Sequence, residues 1–257
     1  MSTNLLVERE GRVLGLTLNR PAKRNALSAD LCRELIGRLG EADSDAGAGA
    51  VLLGAAGPVF CSGMDLDEAS SAEAAGLSAL HEQLFSIAGS MSKPVVAAVR
   101  GPALGAGLGL LAAAHTGVAA QGASFGLTEI RIGLFPFAAY RAIEKAVGER
   151  RAVELALTGR IFGTQEALHW GLVSQVVPPF ELDDRAADLA AHLAASSAEA
   201  IRRGLEFVRE ARGKTPEESR ALAARFCAET VAGADYAEGV RAFHEKRRPR
   251  WPSQPES

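Results

Sequence analysis

The sequence predicts an α/β fold with a helical C-terminal region, and three observations carry that expectation. Strand-like and helix-like segments alternate from residue 12 to about residue 135, and from Pro136 onward the patterning is mostly helical. A 257-residue chain with 47% hydrophobic residues also has enough apolar surface for one large core. Charge is nearly balanced, with 28 Lys+Arg against 31 Asp+Glu, so the basic excess of a nucleic-acid binder is missing. Cys32, Cys61 and Cys227 are scattered without a CxxC pair, which favours a reducing compartment over a disulfide framework. His81, His115, His169, His192 and His244 never fall at metal-ligand spacing, so no metal is expected. The opening MSTNLLVERE lacks the basic-then-apolar form of a signal peptide. The apolar run from Pro102 to Ala120 is broken by Gly105, Gly107, Gly109 and Gly117, which suits a buried helix and strand better than a membrane span. A cytoplasmic protein without nucleic-acid or membrane partners is expected.

Taken in order, RVLGLTL (12–18) alternates as a strand does, with Val13, Leu16 and Leu18 as bulky members. The polar NRPAKRNALS (19–28) reads as a loop ending in Ser28, an N-cap for a helix to about Gly40 with a Leu31, Leu35, Ile36, Leu39 stripe. AVLLGA (50–55) is a short strand, and AGPVFCSGMDLDE leads by a loop to a helical stretch near 74–91. PVVAAVRG (94–101) is apolar throughout, as a strand covered on both faces should be. ALGAGLGLLAAAH then predicts a helix with a glycine-rich first turn, where backbone can approach a neighbour or ligand closely. GVAAQ and SFGL read as short strands. Beyond Pro136, Thr164 reads as a helix start, Thr215-Pro216-Glu217-Glu218 as a capping box, and Asp235 with Glu238 as a second one. A core of 1–195 and a helical region of 196–257 follow from this pattern.

Common motifs fail. GAGLG (105–109) would need a glycine at 110 for a dinucleotide fingerprint, where Leu110 stands, and neither a P-loop nor a GxSxG elbow occurs. What the chain does contain is NRPAKRNALS (19–28), VFCSGMDLDE (59–68), KPVVAAVRGPALGAGLG (93–109), SFGLTEIRIGL (124–134) and EGVRAFHEKRRPRW (238–251). In order and spacing these resemble the crotonase superfamily of enoyl-CoA hydratases and isomerases over nearly the whole chain.

The resemblance implies a crotonase-like spiral of repeated β-β-α units, with the C-terminal helices packing between subunits of a homotrimer or dimer of trimers. It implies an acyl-CoA thioester substrate with no separate cofactor, CoA being part of the substrate. A thioester enolate needs its oxygen stabilised by preorganised N–H donors, each worth roughly 2.7–4 kcal/mol. The resemblance assigns these to the amides of Ser62 and Ala106, and the acid/base to Glu129 of FGLTE. It gives Asp65 a structural part in the oxyanion loop. It places Gly63, Met64, Leu66, Gly105 and Pro136 along the substrate, Lys23 and Arg24 at the CoA phosphates, Ala26 and Leu27 along the pantetheine, and Phe243 and Lys246 at the nucleotide end. His115 and His244 read as packing or surface residues.

One departure matters. Hydratases of the family hold a second Glu where this chain has Gly109, and the two carboxylates together hold the attacking water. A single base can still move a proton from one carbon to another, so isomerase-like chemistry is expected ahead of hydration. An enoyl-CoA hydratase proper, and an acyl-CoA-binding protein with a degraded site, remain alternatives. FPF (135–137) replaces a glycine-rich segment and is expected to add bulk near the acyl pocket.

Overall fold

The computed structural model describes residues 4–69 and 74–255. Residues 1–3, part of the opening segment considered above, lie outside that range. Strand β1 (Leu5–Glu10), which the sequence patterning did not announce, pairs antiparallel with β2 (Val13–Leu18). The tight turn between them relies on Gly11, whose φ of +54° favours glycine. Ser28 caps α1 (Ala29–Ser44) as expected, its hydroxyl accepting from the Leu31 amide at 3.3 Å. Strand β3 (Ala50–Ala55) follows, then the short α2 (Leu66–Ala69), α3 (Ala74–Ile87), β4 (Val95–Val99), β5 (Ala103–Leu104) and α4 (Ala106–Ala113).

Beyond these lie β6 (Thr116–Ala120), β7 (Ser124–Gly126), α5 (Phe137–Val147), α6 (Glu149–Thr158), β8 (Ile161–Gly163), α7 (Thr164–His169) and β9 (Gln175–Val177). The chain ends in α8 (Leu182–Ala194), α9 (Ala198–Glu210), α10 (Pro216–Val231) and α11 (Ala234–His244). One sheet has the order β1-β2-β3-β4-β6-β9, parallel from β2 onward; a second, β5-β7-β8, lies beside it.

Both faces of the large sheet are covered, which explains its apolar strands. Leu14, Leu16 and Leu18 of β2 and Val95, Ala97 and Val99 of β4 face the main core with Leu31, Leu35, Phe60, Leu108 and Phe125. Val13 and Val96 face the other way, onto Ala190 and Ala194 of α8, so Val13 does not share the face of Leu16 and Leu18. Among the described residues no helix is long and apolar enough to cross a membrane.

The capping signals fare unequally. At Thr215 the box is complete, with Glu218 N–H to Thr215 Oγ1 at 3.2 Å and Thr215 N–H to Glu218 Oε2 at 2.8 Å. Thr164 is the first residue of α7 rather than its cap, and makes no capping hydrogen bond. Asp235 and Glu238 form no box either, because α11 starts after Gly233. The Asp235 carboxylate accepts instead from the Ser197 hydroxyl (2.5 Å) and the Ser253 amide (2.9 Å), tying α11 to the start of α9 and to the tail.

Candidate active site

Three segments far apart in sequence are stitched together around the N-terminus of α4. Asn25, buried in the left-handed region at φ +54°, donates through Nδ2 to the carbonyls of Ala56 (2.9 Å) and Val59 (2.8 Å) and accepts from the Arg20 amide at 2.8 Å. The Leu27 amide donates to Gly63 O at 2.8 Å, and the Asp65 amide to Leu27 O at 3.2 Å. Cys61 donates to Pro102 O at 3.1 Å and accepts from the Leu104 amide at 2.9 Å. A Cβ at Gly107 would lie 2.3 Å from Cys61 O, so the contact between α4 and this loop requires glycine there. Cys61 is no nucleophile: burial pushes its thiol up to about 12.

Asp65 accepts from Arg20 Nη2 at 3.0 Å and from the Asp67 amide at 3.3 Å, so its carboxylate holds the loop in shape. The two expected oxyanion donors differ in state. Ala106, first residue of α4, has an amide with no acceptor among the described residues, at a positive helix end. A Cβ at Gly63 would lie 3.6 Å from that nitrogen, so the two loops do meet. The Ser62 amide, by contrast, donates to Arg24 O at 3.0 Å. Arg24 itself sits in the left-handed region at φ +50°.

Glu129 stands just after β7, in a single 3-10 turn, Glu129–Ile132, ended by Gly133 at φ +77°. The Gly105 amide donates to Gly126 O at 2.8 Å, so the two sheet strands bring Glu129 to the α4 N-terminus. Its Oε1 would be 2.9 Å from a Cβ at Gly105, a position whose φ of +53° also favours glycine. Its Oε2 is buried without a hydrogen-bond partner, and burial pushes the carboxyl up to about 6.

Gly109, three residues beyond Ala106, is not open space waiting for a side chain. A Cβ there would lie 2.7 Å from Ala139 Cβ of α5 and 3.2 Å from the Phe85 ring of α3. Bulk at this point therefore comes from Ala139 and Phe85; of the FPF segment, Phe135 packs half-buried against the main core and Phe137 is 70% exposed. Pro136 is buried at the start of α5.

The remaining predicted residues fall into two groups. Ala26 and Leu27 are buried beside the loop that holds Gly63 and Asp65, Met64 is half-buried against the core, and Leu66 is exposed at the start of α2. Lys23, at the end of the 3-10 turn Pro21–Lys23, pairs with Asp67 at 2.9 Å. Phe243 and Lys246, at the end of α11, make no hydrogen bond or ion pair with the Lys23–Arg24 loop among the described residues.

His81 is a residue the sequence reading passed over. It lies on α3, is only 3% exposed, and stacks on Phe85 with ring centroids 5.7 Å apart. Its spacing of four from Phe85 on an apolar helix was the available signal. A groove of about 690 Å³ between the outer sheet face and α8 touches none of these residues.

With this geometry in place, comparison decides the family. The enoyl-CoA hydratase/isomerase family model matches residues 8–254. The chain belongs to that family. Its fold is that of the crotonase superfamily, and it is an acyl-CoA-processing enzyme. It is 34% identical to a probable enoyl-CoA hydratase of Mycobacterium tuberculosis over 251 residues, 96% of this chain and 97% of the relative. It is also 34% identical to the 2,3-dehydroadipyl-CoA hydratase of Escherichia coli, covering 96% and 98% of the two chains. The crystal structure of a Mycobacterium smegmatis enoyl-CoA hydratase superposes with a TM-score of 0.92 at 34% identity, over 97% of this chain and 99% of that one. A Bacillus anthracis enoyl-CoA hydratase gives 0.93 at 31% identity, over 98% and 100%.

Proposed function

We propose that this enzyme shifts the double bond of an enoyl-CoA thioester, with Glu129 as the single acid/base. The Glu129 carboxylate takes a proton from C2 of a 3-enoyl thioester, the electrons pass into the thioester carbonyl, and the enolate oxygen is held at the α4 N-terminus. Glu129 then returns the proton at C4, leaving the 2-enoyl thioester and a regenerated carboxylate. The Ala106 amide is the donor ready for that oxygen, and the Ser62 amide joins it by exchanging Arg24 O for the charged oxygen, a charge-assisted bond being roughly twice as strong as a neutral one.

The observation that carries this reading is the packing at Gly109. Gly109 has no side chain and a Cβ there would press on Ala139 and Phe85, which supports a reading in which Glu129 works without a second carboxylate. Its raised pKa, near 6, suits a group that must both accept and return a proton at neutral pH. The relatives' names favour a second reading, hydration of a 2-enoyl thioester. Rates on matched 3-enoyl-CoA and crotonyl-CoA substrates separate the two: isomerisation faster than hydration is expected, and the reverse order overturns the proposal.

Binding of CoA itself is assigned to Lys23, Arg24, Ala26 and Leu27 on one chain. Phe243 and Lys246 complete the nucleotide end from a neighbouring subunit of a homotrimer or dimer of trimers. Phe180 and Phe243 are 83% and 81% exposed, apolar surface that association between copies would cover. The site carries no requirement for a further cofactor.

A further inference from the structure

Arg20 opens the loop between β2 and α1 and has no part in the chemistry above. Its side chain is 17% exposed, so its charge has to be met from within the protein. Nη2 donates to Asp65 Oδ2 at 3.0 Å and Nη1 to Ala26 O at 2.6 Å. Its backbone amide donates to Asn25 Oδ1 at 2.8 Å, and its carbonyl accepts from the Asn25 amide at 2.9 Å. Between these anchors Arg24 and Asn25 stand one after the other in the left-handed region, at φ +50° and +54°, a conformation that residues other than glycine keep only where their surroundings impose it.

The stretch held in this way runs beside the loop that carries Ser62. The Ser62 amide donates to Arg24 O, the Leu27 amide to Gly63 O and the Asp65 amide to Leu27 O, with Leu27 and Met64 paired as a parallel bridge. Those bonds join backbone groups, which every residue but proline offers, so by themselves they tolerate a slip of one stretch along the other. Side chains remove that freedom. The Lys23–Asp67 pair crosses between the same two stretches, but both partners are exposed and solvent screens them. The Arg20–Asp65 pair is the sheltered one, its carboxylate only 8% exposed. The planar guanidinium meets Ala26 O and that carboxylate at once, a two-point fit for which the compact ammonium of a lysine is not shaped.

We propose that Arg20 is a positioning residue for enolate formation, its guanidinium setting the loop that carries Ser62 against the Arg24–Leu27 stretch. It thereby fixes where the Ser62 amide stands relative to a thioester bound along that stretch. An oxyanion donor must lie about 2.7–3.1 Å from the oxygen it stabilises, and a displacement of about 1 Å can lower a rate by about 10²-fold. Ground-state affinity is less sensitive, because the contacts assigned to CoA are shared among Lys23, Arg24, Ala26 and Leu27. Loss of Arg20 therefore acts on the saturated rate far more than on binding. This inference rests on the reading above that a CoA thioester reacts at this site, and the test separates the two.

Exchange of the butyryl-CoA α-protons in D2O reports enolate formation whatever the later fate of a double bond, and calorimetry gives the Kd of butyryl-CoA. Arg20→Ala and Arg20→Lys are expected to slow exchange at saturation by about 10- to 100-fold, with Kd within about 3-fold of wild type. Methylguanidinium is expected to raise the Arg20→Ala rate by about 5-fold or more, and methylammonium, which lacks the fork, to leave it unchanged. A purely structural role predicts instead a lower Tm with the folded protein exchanging at the wild-type rate. A wild-type saturated rate in Arg20→Lys, a loss that lies in Kd alone, or a slowed Arg20→Ala that methylguanidinium leaves unrescued each overturn the proposal. Where Arg20→Ala does not fold, the rate and Kd of Arg20→Lys decide it. With exchange in wild type that Arg20→Lys matches, only the role of Arg20 fails; with no exchange in wild type, the functional reading fails and takes this inference with it.

Discussion

Glu129 and Glu238 are both withdrawn from solvent, yet the protein treats them in opposite ways. Glu238, 3% exposed on α11, accepts from the guanidinium groups of Arg241 and Arg247 and from the Arg250 amide at 2.7 Å. Those donors hold its carboxyl well below the usual carboxylate range. Glu129 has no cation beside it among the described residues, one orphaned oxygen, and a carboxyl that burial pushes up to about 6. Glu238 fastens a structure, whereas Glu129 is left in the state that the proposed proton transfer needs.

Exchanging each for glutamine sharpens the contrast most. Glu129→Gln is expected to lower proton-transfer activity by about 10²-fold or more, read as kcat/KM on a 3-enoyl-CoA. Glu238→Gln is expected to leave kcat/KM nearly unchanged while lowering Tm, since Arg241 and Arg247 lose a charged partner. Equal loss of activity in both would erase the distinction.

The two carboxylates also predict opposite pH behaviour. Glu129 has a folded pKa of about 6 against an ordinary 4.5, so its ionised form is disfavoured by roughly 2 kcal/mol. That penalty is absent below about pH 4.5 and complete above about pH 6, and Glu129→Gln removes it, so this variant should melt a few degrees higher at pH 7. Activity needs the base form, so kcat/KM should fall about tenfold per unit below pH 6, with the limb missing from whatever activity Glu129→Gln retains. Glu238, with a depressed pKa, contributes stability that is present above about pH 4.5 and lost as pH falls further. Thermal melts of Glu238→Gln and wild type should therefore converge in acid.

A smaller effect probes the glycine beside Glu129's partner loop. Gly109→Glu is expected to lower Tm by several degrees, because overpacking a core costs about 1–3 kcal/mol, and to bring no hydratase activity. A gain in crotonyl-CoA hydration would show that α5 can yield. Smallest of all, Ser62→Ala should hold kcat/KM within about twofold, since only the backbone amide is used; a dead but folded variant would call for a serine nucleophile instead.

Legibility in the sequence followed distance. The strands over 50–55 and 94–101, the Ser28 cap and the Thr215 box rest on neighbours within a few residues, and local pattern suffices for them. The same three-residue spacing misled at Asp235 and Glu238: Asp235 is held by Ser197 and Ser253, and Glu238 by Arg247 and the Arg250 amide as well as by its helix neighbour Arg241, partners that, Arg241 apart, only the fold brings near. Strand β1 was hidden because all but Leu5 of LLVERE is exposed on a sheet edge, so no buried stripe marks it. At the site, the segments containing Ser62, Ala106 and Glu129 stood out by resemblance. The engagement of Ser62 by Arg24 O, the packing over Gly109 and the orphaned nitrogen of His81 depend on tertiary contacts that no spacing encodes.

The strand order has a consequence for how the molecule comes into being. In the six-stranded sheet each strand adds to an edge already laid down, β1-β2-β3-β4-β6-β9, so the sheet can grow in the direction in which the chain leaves the ribosome. Only the first pairing is a local hairpin, and each later one closes a long loop before it gains a partner. The small sheet matures on a different schedule. β7 finds β5 upstream, but its other edge stays bare until β8 emerges at residues 161–163. The turn that carries Glu129 directly follows β7, so it joins this sheet while one of its edges is still unpaired.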